Sequence, residues 1–228
     1  MDFKCVVGLG VRCYTSIYLK ELNLRKFSST FDSLISPSKE MISDFLNGDI
    51  NFDDMIHTKH NNKFDSLNKE NGNRSIYPKY NNEKNDESYH YAVFAHYDMD
   101  LEKNVNHFKR CIDRFNIIKL KQIRTLFVIT CHENNDFNFI PDEDDISYIF
   151  DNSCFKFNCH LLVIKFIMHD KKKHINNINI STKTENYTIV NVMNNSLEYS
   201  DQKNNLNKIF FDMFKLDSEN LMNYADLE

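Results

Sequence analysis

The chain has 228 residues, with 28 Lys and Arg against 33 Asp and Glu, for a formal net charge of -5. With 41% apolar and 13% aromatic residues it can build a core, which excludes a wholly disordered chain. The mild acidity argues against a basic nucleic-acid binder. The longest apolar runs, Leu161 to Ile164 and Phe166 to Met168, are split by Lys165. They fall far short of the roughly 20 residues that span a bilayer. Met1-Asp2-Phe3-Lys4 does not read as a signal peptide, because a glycine turn follows within a few residues. The expected location is therefore cytoplasmic, with no membrane or nucleic-acid partner.

At roughly 100–200 residues per domain, the expectation is a single α/β domain over residues 1–228. Asn occurs 31 times and Lys 22 times, while Arg occurs 6 times and Gly 4 times. Such a bias matches an AT-rich coding sequence, so the rare residue types stand out. The six cysteines include no C-x-x-C pair, so a zinc site is not expected, and with no export signal in view neither is a disulfide framework. No metal and no cofactor is predicted.

Residues 3–9 read as a short buried strand, punctuated by Gly8 and Gly10. Cys13 to Leu22 reads as a helix through Ile17, Tyr18, Leu19 and Leu22. Lys39 to Leu46 is a second helix, opened by Pro37-Ser38 and closed by Asn47-Gly48. At about residues 58–88 the apolar pattern dissolves into Asn, Lys, Asp and Glu, which predicts a low-complexity surface insertion. Tyr91 to His96 reads as a strand ending on a histidine. Asn104 to Leu120 is a helix with an apolar stripe of Val105, Phe108, Cys111, Ile112, Phe115 and Ile118, leaving Lys109, Arg110, Asp113 and Arg114 to face elsewhere.

Thr125 to Cys131 is a buried strand. Pro141 opens an acidic helix over Asp142 to Phe150, whose early acids suit a helix N-terminus. His160 to Met168 and Thr188 to Met193 are further strands. Lys203 to Leu216 is a last amphipathic helix through Leu206, Ile209, Phe210, Met213 and Phe214. This alternation predicts an α/β layered domain with a largely parallel central sheet flanked by helices. Sites in such sheets gather beyond the carboxyl ends of the strands. Those ends hold Gly8 to Cys13, His96 to Asp98, Thr130 to Glu133, Met168 to Asp170 and Met193 to Asn195.

Gly8-Leu9-Gly10-Val11-Arg12-Cys13 is a turn that places Cys13 at the start of a helix. The free N–H groups and the helix dipole there favour a thiolate, and Arg12 adds positive charge. The plainer alternative is a buried cysteine after a tight turn. The Gly8 and Gly10 pair also suggests a nucleotide fingerprint, but Cys13 stands where the third glycine belongs. His96 could serve Cys13 as a base or be a hydrogen-bonded edge residue, with Asp98 close by. Asp32, between Phe31 and Leu34, is expected to be partly buried and so to need partners. Arg110 and Arg114, one helical turn apart, suit carboxylate pairing or anion binding, or a solvated helix face. His132 and Glu133 are candidate rim residues.

Val7-Gly8-Leu9-Gly10-Val11-Arg12-Cys13, then Leu24-Arg25-Lys26-Phe27-Ser28 and Phe31-Asp32, resembles the opening motif of a family of papain-like cysteine peptidases found in bacteria and large DNA viruses. That motif runs S-L-G-x-x-C, then G-L-R-x-x-S-x-P-F-D-W. His96 with Asp98, the helix carrying Arg110, Arg114 and Phe115, and the strand Leu126-Phe127-Val128 also match. The resemblance covers about residues 5–130. This chain departs from the pattern at Gly8, Asn23, Thr30 and Ser33, which replace Ser, Gly, Pro and Trp.

The resemblance implies a cysteine peptidase, isopeptidase or acyl transferase acting on a protein or peptide, a host protein in the host cytoplasm if the source is viral. In that reading Cys13 is the nucleophile, His96 the general base, and Asp32 or Asp98 the group that orients it. The N–H groups of Gly10, Val11 and Arg12 would form the oxyanion hole. Two other readings stay open. One is a non-catalytic α/β binding module with an anion or partner site at Arg110 and Arg114. The other is a Rossmann-like nucleotide-sugar transferase using the Gly8-Gly10 turn.

Overall fold

The computed structural model describes residues 2–10, 13–35, 38–50, 56–59, 73–76, 78–80, 93–94, 97, 99, 101–133, 140–153, 158–168, 177–194 and 199–227. The main sheet holds five strands: β1 (Cys5–Gly8), β6 (Thr125–His132), β7 (Cys159–Met168), β9 (Tyr187–Asn194) and β8 (Asn177–Lys183), in that spatial order. The β1, β6, β7 and β9 ladder is parallel throughout, and β8 closes one edge antiparallel to β9. The protein is thus α/β with a mostly parallel sheet, as the alternation predicts. Strand β8 is absent from the sequence reading. It is an edge strand, exposed along most of its length, so it carries little of the buried apolar signal that marks its neighbours.

Side chains alternate across the sheet, and each face buries its own core. Val7, Phe127, Ile129, Cys131, Leu161 and Val163 pack with helices α2 (Lys39–Asn47), α3 (Glu102–Leu120) and α4 (Glu143–Asp151). Val6, Leu126, Val128, Leu162, Ile164 and Val190 pack on the opposite face with α1 (Cys13–Glu21) and the C-terminal segment, α5 (Tyr199–Asn207) and the π-helical turn Lys208–Met213. Ser38 caps α2, and Asp142 and Asp145 form a capping box on α4, which satisfies amides that the first turn leaves unpaired. The stripe on α3 is buried at Phe108, Cys111, Ile112, Phe115 and Ile118.

Several expectations are corrected. The segment read as a strand ending at His96 is β5 (Val93–Phe94). It lies not in the parallel sheet but in a separate antiparallel sheet of order β2 (Leu34–Ile35), β5, β4 (Asn73–Ile76) and β3 (Ile56–Lys59). Apolar alternation marks a strand but does not name its partner. The low-complexity stretch accordingly carries paired strand residues, with Thr58 opposite Arg74 and Lys59 opposite Asn73. It also carries the buried Tyr80, whose hydroxyl donates to Asp44 at 2.6 Å. Ile17 and Met213, read as inward-facing, are exposed. Arg114, read as facing away, is half-buried and donates to the Ser28 carbonyl at 3.0 Å.

Candidate active site

Strand β1 ends at Gly8, and the chain turns through Leu9 and Gly10 into α1. Leu9 donates its N–H to the Val128 carbonyl at 2.9 Å, which keeps the turn on the sheet. Gly10 has φ +63, and a Cβ there would stand 2.8 Å from the Phe31 carbonyl oxygen. Only glycine fits both the left-handed backbone and that close approach. The turn is thereby seated against the 3-10 turn Thr30–Ser33.

Cys13 is the first residue of α1 and is half-buried. The helix is pinned to the sheet by Thr15, whose hydroxyl lies 2.7 Å from that of Thr130, both groups being buried. Thr15, Ser16, Tyr18 and Leu19 face inward, whereas Tyr14 and Ile17 are exposed. Cys5, Cys111 and Cys131 differ from Cys13 in being buried. Burial pushes the Cys5 and Cys131 thiols up to about 12, and the Cys111 thiol up to about 11. Those three are poor nucleophiles near neutral pH.

Asp32 sits in a tight clasp. Its carboxylate lies 3.2 Å from Arg25 Nε and accepts from the Ser29 N–H at 2.9 Å. The Ser29 hydroxyl lies 3.1 Å from both Asp32 Oδ1 and the Gly8 carbonyl, and its one proton serves either. Ser29 and Asp32 together form a capping box on the 3-10 turn. Burial raises the Asp32 pKa above the usual carboxylate range, against the opposing pull of Arg25 and the Ser29 hydrogen bonds. Arg25 continues the clasp, donating to Ser16 Oγ on α1 and to Ser28 Oγ at 3.2 Å. Phe31, fully buried between Phe45 and Phe115, anchors the turn in the core.

Arg114 ties the same turn to α3 through the Ser28 carbonyl and reaches Cys111 Sγ at 3.4 Å. His107, one turn earlier, lies 3.8 Å from that sulfur and stacks on Tyr97 at 5.7 Å. Burial lowers the His107 pKa, and the charges of Arg110 and Arg114 lower it further. His107 escaped the sequence reading. The signal available was its i, i+4 spacing to Cys111, on the helix face that also holds Arg114.

His132 ends β6 on the other flank of α1. Its ring stacks on Phe166 at 4.8 Å and meets the Tyr14 ring edge-on at 5.9 Å. Glu133 is exposed and donates its N–H to the Phe166 carbonyl. The structure thus brings Asp32, Arg25, Ser16 and Arg114 together on one flank of α1 and sets His132 on the other. His96, Asp98, Val11 and Arg12, expected as base, orienting carboxylate and part of an oxyanion turn, lie outside the described residues. Among the described residues no group of His, Cys, Asp and Glu could hold a metal ion, and no helix is long and apolar enough to cross a membrane.

No curated protein and no solved structure matches the chain. Residues 4–140 match the family described as "Putative papain-like cysteine peptidase (DUF1796)", a span that includes the Cys13 turn, the Arg25–Asp32 clasp and helix α3. The chain belongs to that family.

Proposed function

We propose that the chain is a cysteine-nucleophile hydrolase or acyl transferase whose nucleophile is Cys13. The observation that carries this reading is the contrast among the cysteines. Cys13 is half-buried at the start of α1 beside the Gly10 turn, Cys159 is half-buried but opens strand β7, and Cys5, Cys111 and Cys131 are buried in apolar surroundings. The Cys13 sulfur attacks the carbonyl carbon of an amide, isopeptide or thioester. An imidazole takes the thiol proton and then gives it to the departing amine or thiol. Water hydrolyses the resulting thioester. Amides of the turn from Gly10 to Cys13 hold the oxyanion.

We assign the imidazole to His96. Phe94 pairs with Leu34, two residues after Asp32, and His96 follows Phe94 by two residues in the sequence. Asp32 already gives both oxygens to Arg25 and Ser29, which favours Asp98 as the orienting carboxylate. The chemistry requires no cofactor. The proposed substrate is a protein or peptide in the cytoplasm. An electrophilic thiol probe at neutral pH, read out by peptide mass spectrometry, tests this assignment. Cys13 should label first and Cys5, Cys111 and Cys131 last. Equal labelling of these four would remove the basis for choosing Cys13.

A further inference from the structure

Strand β1 stops at Gly8, while β6 continues to His132. Gly8 stands opposite Val128, and Leu9 donates its N–H to the Val128 carbonyl at 2.9 Å. Alternate residues of a strand turn their backbone groups to the same neighbour, so Thr130 offers its N–H on the side that β1 has left. A buried N–H without an acceptor is costly. Here the acceptor is a side chain: Thr130 donates its N–H to the Thr15 hydroxyl at 3.3 Å, and the two threonine hydroxyls lie 2.7 Å apart. Both residues are buried. Helix α1 thus extends the β1 ladder by one hydroxyl, two residues after Cys13. The methyl of Thr15 is confined as well. A Cβ on Gly8 would stand 3.2 Å from Thr15 Cγ2 and 3.4 Å from Leu19 Cδ1. Turning Thr15 away from such a group would break both of its hydroxyl contacts.

We infer that Thr15 is a positioning residue for Cys13: its hydroxyl, bonded to Thr130, seats the first turn of α1 on the sheet, and Gly8 leaves the space for its methyl. This role rests on the reading of Cys13 as the nucleophile. Thr15 acts through the turn that carries the thiol, and the geometry of a reacting group is felt at small displacements. Valine at position 15 has the shape of threonine but would leave the buried Thr130 N–H and hydroxyl facing a methyl. Serine keeps the hydroxyl and drops the methyl.

The test is the rate of Cys13 labelling by iodoacetamide near neutral pH, followed by mass spectrometry on the full chain, with the buried Cys5 and Cys131 as reporters of general opening. Thr15→Val should slow Cys13 by at least about tenfold, within the ~100-fold that an ångström of misplacement can cost. Thr15→Ser should label at the wild-type rate. Gly8→Ala should also slow Cys13, and adding Thr15→Ser to it should restore the rate, a recovery that general damage to the fold would not give. If Thr15→Val also speeds Cys5 and Cys131, the Gly8→Ala pair decides. A wild-type Cys13 no faster than Cys5 would remove the nucleophile reading, and this role with it. A fast wild-type Cys13 that Thr15→Val leaves unchanged, or that Thr15→Ser slows equally, would overturn the positioning role alone. So would a Gly8→Ala loss that Thr15→Ser does not restore, or a Gly8→Ala protein that labels like the wild type.

Discussion

The Arg25 guanidinium lies 3.2 Å from the Asp32 carboxylate while also reaching Ser16 on the helix that opens with Cys13. One side chain thus couples a mostly buried carboxylate, a tight turn and the helix bearing the proposed nucleophile. Burial makes ionised Asp32 costly, and Arg25 is the charge that offsets it. Arg25→Gln should cost about 1.5–3 kcal/mol, the range for a hydrogen bond to a charged group. Urea unfolding of the variant checks it. A loss below about 0.5 kcal/mol would mean that the pair is a solvated surface contact.

The Gly10 turn is the second test. Gly10→Ala should destabilise by more than the ~1–2 kcal/mol charged for a left-handed non-glycine residue, because the new Cβ would also meet the Phe31 carbonyl 2.8 Å away. Backbone must move to relieve that contact, and the moving segment leads into Cys13. The variant should therefore lose Cys13 labelling rate as well as stability. Unchanged stability would show that the turn has room to shift without cost.

His160 supplies the pH dependence. It is 2% exposed, with Nδ1 3.0 Å from the Glu185 carbonyl and Nε2 2.9 Å from the Thr188 hydroxyl. The carbonyl can only accept, so Nδ1 carries the proton and Nε2 accepts from Thr188. Burial lowers the pKa below 6.5. The unfolded chain then binds a proton that the folded chain refuses, so this contribution to stability is complete above about pH 6.5 and is lost as pH falls through the folded value. His107, also lowered by burial, acts in the same direction. Asp32, raised by burial, acts in the opposite direction, so the His160 contribution is read from the difference between the wild type and His160→Gln in denaturant unfolding at pH 7.5, 6 and 5. His160→Gln should be less stable at pH 7.5, with a deficit that shrinks as the pH falls. A slope identical to the wild type would show that His160 is protonated without penalty.

What the sequence disclosed, and what it hid, follows from where each signal lies. The parallel strands were legible because Leu126 to Ile129 and Leu161 to Ile164 are buried on both faces, so their apolar runs are continuous. Strands β3 and β4 were hidden because Asn, Lys and His replace the apolar alternation that marks a strand. The position of Cys13 at the start of a helix was legible from the two glycines that precede it. The Arg25–Asp32 pair was not, although both residues stand in the motif, because the stretch that joins them carries no periodicity that states which side chains meet. The stacking of His132 on Phe166 is a parallel-sheet neighbour relation, and register between distant strands is not written in either strand alone.

The central claim is that Cys13 is a nucleophile served by His96. Its most direct measurement is the rate of Cys13 alkylation by iodoacetamide across pH 5 to 9, followed by mass spectrometry in the wild-type protein and in His96→Ala. An imidazolium beside the sulfur stabilises the thiolate, and its removal leaves the thiol form favoured. The account predicts that His96→Ala slows alkylation near neutral pH by at least about tenfold and leaves the two proteins alike at high pH, where any thiol ionises. Superimposable curves over the whole range would contradict it, and Cys13 would then be a turn-packing residue rather than a nucleophile served by His96.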